Sequence, residues 1–253
     1  MSMPDIPTDE ARSGTLSPRR MARSAGIFQL LEGITATFAQ IYLLNTFVVA
    51  RNPAATAERI LANEPLFQLG FAASLIAVAF HLGRALMMFE LFRIVRRNIA
   101  LLALLVILVG CAIQAVAGVF YIAQWAVLKS PVPGLPLDQV HATSYLMLRL
   151  NAHAFNVYLV FLGLWNFLTG YLILRSDFMP RILGALLMVT GVAWMLQLLP
   201  TVASQLETVI MAAAAIGEIP LLLWLLVKGV SNERWFQQAQ RQAQEPAIGT
   251  GGA

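Results

Sequence analysis

Apolar residues along this chain gather into blocks separated by short polar breaks. Each block is about as long as a helix needs to cross roughly 30 Å of hydrocarbon. The first runs from about Ile27 to Ala50, the second from Phe67 to Leu91 and the third from Ile99 to Leu128. The fourth crosses from about Ala152 to Leu174, within a helix that begins as early as Ala142. The fifth follows Pro180 and ends near Leu199, and the sixth covers Val209 to Val227.

The breaks carry stop signals. Arg93, Arg96 and Arg97 end the second block, and Pro131, Pro133 and Pro136 make helix unfavourable after the third. Pro180 suits a first helical turn, where its missing N–H costs nothing. Two further stretches read as helices outside the spans. Ala54 to Asn63 suits a short surface helix, and Ser231 to Gln244 an amphipathic tail with Trp235 and Phe236 at the lipid interface. The pattern predicts an all-α integral membrane bundle of six transmembrane helices.

Domain limits follow. Residues 1–25 are polar and rich in Pro and Ser, predicting a disordered cytoplasmic tail; residues 26–230 form the transmembrane domain; residues 231–253 form a cytoplasmic tail, amphipathic and then loose in composition. The first apolar run has the length of a full span, so it reads as an uncleaved insertion signal rather than a signal peptide. No internal repeat suggests an inverted-repeat transporter.

Charge sets the orientation. Arg12, Arg19, Arg20, Arg23, Arg93, Arg96, Arg97, Arg175, Arg181, Lys228, Arg234 and Arg241 fall on one side, and only Arg51, Arg59, Lys129 and Arg149 on the other. Twelve against four places both ends in the cytoplasm by the positive-inside rule. The same rule explains the net charge of +4 without nucleic acid. Composition agrees: 58% of residues are hydrophobic and 12% charged, against about 25% charged in a soluble domain. The expected location is the cell (cytoplasmic) membrane. The lone Cys111, inside an apolar block, reads as a small buried hydrophobe and has no second cysteine to bond.

Ionisable residues within spans carry the candidate chemistry, because each costs several kcal/mol unless paired or hydrated. Glu32, His81, Arg84 and Glu218 are central, and Glu32, Arg84 and Glu218 count to similar depths in the inner half. They are expected to form one buried cluster in which Arg84 holds one acid ionised while the other binds a ligand or a proton. Pro220 follows Glu218, freeing the Ile216 carbonyl, and Gly217 opens space beside it. A second, outer-half cluster is expected from Gln114, Gln124, Arg149, Asn151, His153 and Asn156, with Tyr121 and Gln197 nearby. Its alternative is ordinary interhelical hydrogen bonding, worth only about 0.6 kcal/mol per bond. Ser74 and Thr190 read as hydroxyls bonded to their own helices.

No motif names a reaction. His81 and His153 lie at different depths and cannot ligate one haem iron, and no HxxxH or ExxH spacing marks a metal, so no cofactor is expected. GxSG, HExxH and phosphate-binding Gly-rich loops are also absent. Spans four and five are expected to pack closely, since Gly163 pairs with Gly191 and Gly170 with Gly184 about a midpoint at Asp177.

The run Asn151-Ala152-His153-Ala154-Phe155-Asn156, then Phe161-Leu162-Gly163 and Gly170-Tyr171-Leu172-Ile173, continues through Arg175-Ser176 and Pro180-Arg181-Ile182-Leu183-Gly184 to Gly191. With Ile216-Gly217-Glu218 and Leu222 to Gly229, it resembles a bacterial multi-pass membrane family catalogued as domain of unknown function 4386. That resemblance spans Glu32 to Val230. It implies six spans and no particular activity.

Three functions remain open. The two polar clusters favour binding or transport of a small amphipathic ligand. A non-catalytic accessory subunit would pack one lipid-facing stripe against a membrane-protein partner. A lipid- or isoprenoid-acting enzyme would bring an acid and a base to one pocket.

Overall fold

The computed structural model describes residues 17–244. Those residues form helices and connecting turns, with no strand among them. Helix α1 (Pro18–Thr37) continues through a π-helical stretch (Phe38–Leu43) and a last α turn (Leu44–Phe47). A short α2 (Pro53–Ala62) precedes the long α3 (Glu64–Lys129), followed by α4 (Leu137–Arg175) and α5 (Arg181–Met195). A six-residue α6 (Pro200–Gln205) leads into α7 (Glu207–Val227), and α8 (Asn232–Gln244) comes last. Among the described residues, five helical stretches are long and apolar enough to cross a membrane.

Straight, α3 with its 66 residues would reach about 100 Å. Instead its two ends meet: Lys129 Nζ donates to Glu64 Oε1 at 2.7 Å, and Trp125 Nε1 donates to Glu64 Oε2 at 3.1 Å. The reversal lies at Arg96, whose backbone (φ −152°, ψ 97°) is extended rather than helical. The basic run 93–97 therefore makes a sharp bend between two arms, where the sequence predicted the break between spans two and three. The arms close tightly near the far end, where Phe67 stacks on Tyr121 at 4.5 Å and Phe47 meets Phe67 edge-on at 5.4 Å.

Neighbours then form a ring. Helix α1 packs on α3, α3 on α4, α4 on α5, α5 on α7, and α7 back on α1. The core inside the ring is built from Leu, Ile, Phe and Ala of every member, Leu91, Ile107, Ile173, Leu187 and Leu225 being almost fully buried. The outward surface is also apolar, for example Leu102, Leu105, Val116, Val189 and Leu223.

Closest of all is the α4–α5 seam. A Cβ at Gly163 would stand 2.6 Å from the Gly191 carbonyl oxygen, and one at Gly170 would stand 2.6 Å from that of Gly184. Those are the pairings expected from the sequence, and only glycine permits them.

Helix α8 lies across one end of the ring. Trp235 Nε1 donates to the Leu91 carbonyl at 2.9 Å, and Gln238 Nε2 donates to the Arg175 carbonyl at 3.3 Å. Arg19 N donates to Asn232 Oδ1 at 2.9 Å. The start of α1, the α3 bend, the α4–α5 turn and α8 thus share one end of the bundle. The opposite end holds Arg51, whose N–H donates to Tyr145 Oη at 3.2 Å, and the Glu64–Lys129 pair.

The first helix begins earlier than the apolar pattern implied. Ser17 caps it and Pro18 occupies its first turn, and Ala22 and Ala25 are fully buried, so residues 18–25 belong to the bundle rather than to a loose tail. Alanines buried among arginines escape a search for apolar blocks. The rest of that tail, residues 1–16, and residues 245–253 lie outside the described residues.

Candidate functional site

Two acids lie within the bundle, and they are held in different ways. Glu32 on α1 points to His81 and Arg84 on the first arm of α3, three residues apart and so on one helix face. Arg84 Nη1 stands 3.0 Å from Glu32 Oε2, and His81 Nδ1 stands 2.7 Å from Glu32 Oε1. All three are buried, with His81 at 0% exposure, Arg84 at 4% and Glu32 at 9%.

Helix α4 completes the group. The Tyr158 hydroxyl lies 3.0 Å from His81 Nδ1, and Trp165, two turns on, lies under the guanidinium of Arg84 at 4.5 Å. Its ring also meets the His81 ring edge-on at 5.4 Å. An ionised carboxylate only accepts, so His81 Nδ1 carries a hydrogen toward Glu32. Among the described residues, neither His81 Nε2 nor Arg84 Nε, both buried, has a hydrogen-bond partner. With a neutral imidazole, the Arg84 and Glu32 charges cancel.

Glu218 on α7 is different. Its Oε1 accepts from Asn166 Nδ2 at 3.1 Å and from Trp194 Nε1 at 3.1 Å. Gln29 on α1, one turn before Glu32, donates to the Glu218 backbone carbonyl at 3.2 Å. Among the described residues Glu218 makes no ion pair, and it is half-buried. The expected single cluster is thus two sites joined by α4, where Trp165 serves Arg84 and the adjacent Asn166 serves Glu218. Arg84 pairs with Glu32 alone. The reason is angular: depth counted along a helix gives height but not direction around the axis.

Small residues let α7 approach. A Cβ at Gly217 would crowd Thr190 and come 2.8 Å from the Leu186 carbonyl oxygen. Thr190 Oγ1 donates across this seam to Ala213 O at 2.7 Å, not to its own helix as expected, whereas Ser74 Oγ does bond its own helix at Phe71 O, 2.7 Å. Pro220 lies inside the continuous α7.

The outer-half cluster does not assemble as one pocket. Asn151, Gln114 and Gln124 are buried, Asn151 Nδ2 donating to Ala117 O at 2.8 Å, while Gln124 gives its backbone carbonyl to Ser144 Oγ at 3.1 Å. Arg149 and His153 point outward and are exposed, and Asn156 and Gln197 are half-buried. This group is mainly the polar part of the α3–α4 seam. Among the described residues, no three His, Cys, Asp or Glu side chains converge as a metal site would require.

Sequence reasoning missed Asn166, Trp194, Tyr158 and Trp165. An asparagine in the apolar run Leu164–Leu168 was the one visible signal. A tryptophan donor in a span looks like any other apolar ring.

No curated protein and no solved structure matches the chain. Residues 24–229 match the family described as Domain of unknown function (DUF4386). That match takes in Glu32, His81, Arg84, Tyr158, Trp165, Asn166, Trp194 and Glu218. The chain belongs to the DUF4386 family.

Proposed function

We propose that this is a six-span protein of the cell membrane, with both ends cytoplasmic, that binds a small amphipathic ligand carrying a cationic head. The count of six takes each arm of α3 as a crossing. The orientation follows from the basic residues gathered at the end where α8 lies.

One observation carries the binding reading: among the described residues, the Glu218 carboxylate is held by two neutral N–H donors and no cation. An acid at membrane depth needs a counter-charge or a proton. Glu32 has Arg84; Glu218 has an open side. An alkylammonium head would complete it while its tail lies along the apolar faces of α1 and α7. Passage through the bundle finds less support: among the described residues, the small void by Trp165 and Leu172 holds only about 10 Å³, roughly one water at most.

The experiment is retention of dodecylamine, compared with dodecanol, by the purified protein in nanodiscs, read by native mass spectrometry. Wild type should hold the amine over the alcohol, and Glu218→Gln should lose about tenfold or more of that retention with little change in melting temperature, because glutamine still accepts from Asn166 and Trp194. Equal retention by the variant, with a lowered melting temperature, would mean that Glu218 only locks helices together.

A further inference from the structure

A cleft of about 550 Å³ opens at the basic end of the bundle, between the start of α1, the α4–α5 turn and the link from α7 to α8. Its lining is one-sided in charge. Among the described residues, Arg19, Lys228 and Arg234 contribute and no acid does. Among the described residues none of these three cations has an ion-pair partner, whereas Arg93, Lys129 and Arg241 each have one.

Trp224 forms part of the cleft wall. Its Nε1, a group that can only donate, is buried and has no acceptor among the described residues. Lys228 Nζ stands over the same ring at 5.2 Å. At the beginning of α8, Ser231 Oγ accepts from Arg234 N at 3.5 Å and Asn232 Oδ1 accepts from Arg19 N at 2.9 Å, which fixes Arg19 and Arg234 beside the cleft. The turn that brings these parts together is tight: Gly229 sits at φ 64°, a left-handed conformation that favours glycine, and a Cβ there would lie 3.3 Å from Arg19 Cγ.

We infer that this cleft binds the phosphate of an anionic glycerophospholipid headgroup. Three cations on one cleft suit an oxyanion with several acceptor oxygens. Its place favours a lipid over free phosphate. Lys228 directly follows the last residue of α7, Val227, which is 67% exposed on the apolar surface. Phe178 and Met179 supply an apolar wall at the same level. A headgroup in the cleft leaves its acyl chains in the bilayer beside α7. The inference rests on the membrane placement proposed above but not on a ligand at Glu218.

The test measures phosphatidylglycerol retained by the full chain from mixed phosphatidylglycerol–phosphatidylcholine nanodiscs. Wild type should retain phosphatidylglycerol selectively. The triple variant Arg19→Gln, Lys228→Gln, Arg234→Gln should bind it roughly a hundredfold more weakly, at about fivefold per cation. A control that removes as many charges from the same end, Arg20→Gln, Arg93→Gln and Arg97→Gln, should retain it. Lys228→Gln alone should weaken retention about fivefold, even if the triple variant fails to fold. Equal loss in the control, unchanged retention in Lys228→Gln, or inorganic phosphate displacing the lipid at comparable concentration would each overturn the assignment. Failure of Glu218→Gln to lose dodecylamine would leave this result untouched.

Discussion

Substituting Gly170 by alanine tests the α4–α5 seam most directly. The added methyl would lie 2.6 Å from Gly184 O and 2.9 Å from Met188 N, both backbone atoms that no rotamer change can move. Restoring an ordinary C···O distance of about 3.3 Å requires the helices to part by about 0.7 Å. A gap of that size forfeits a quarter to a half of each local dispersion contact. If roughly 30 heavy-atom pairs span the seam near Gly170, each worth about 0.15 kcal/mol, the loss is about 1.5 kcal/mol. Overpacking of this kind costs about 1–3 kcal/mol elsewhere. The gain in helix propensity from Gly to Ala returns up to about 1 kcal/mol.

Gly170→Ala should therefore destabilise by about 0.5–1.5 kcal/mol net, and Gly184→Ala by a similar amount. Once one methyl has opened the seam, the second finds space, so the double variant should cost clearly less than both together. Denaturant or thermal unfolding in nanodiscs provides the assay. Gly33→Ala is the matched control, since nothing lies within 4 Å of its Cβ, and it should be neutral or stabilising by about 0.5–1 kcal/mol. Additive costs at 170 and 184, or no difference between Gly170 and Gly33, would refute the close-contact reasoning.

Other outcomes follow from the buried charges and the topology. Arg84→Met should destabilise by about 3–5 kcal/mol because it strands Glu32, and adding Glu32→Gln should recover much of the loss, measured by the same unfolding assay. Single cysteines at Asn98 and Asn232 should react with membrane-impermeant reagents only from the cytoplasmic side, and those at Ala55 and Gly134 only from outside; labelling of Asn98 from outside would reverse the orientation.

What the sequence disclosed was set by the kind of physics involved. Helix lengths and breaks follow from hydrocarbon thickness, which is why Arg96 and the prolines of 130–136 mark real ends. The glycine seam was legible because a heptad on each side of a short turn leaves one register. Depth alone brought Glu32, Arg84 and Glu218 into the same half of the bundle, but it did not say which acid Arg84 pairs with. Glu218 was misassigned because its partners are neutral, and Asn166 and Trp194 give no charge signal. Arg149 and His153 were placed inward on height, whereas the azimuth of α4 turns them out. The early start of α1 was hidden since a helix that leaves the membrane need not be apolar.

The bend at Arg96 and the strap formed by α8 also imply an order of assembly. Trp235 reaches back 144 residues to Leu91, and Gln238 reaches back 63 to Arg175. On the ribosome, α1 to α7 emerge before α8, so that end of the bundle must wait unlatched through most of synthesis. A nascent chain halted after α7 would hold its inserted helices without the contacts that tie α1, α3 and α4 together. Quality-control proteases that sample loose helix ends would meet such a chain differently from a completed one, and the latch residues Trp235 and Gln238 would set how long that window lasts.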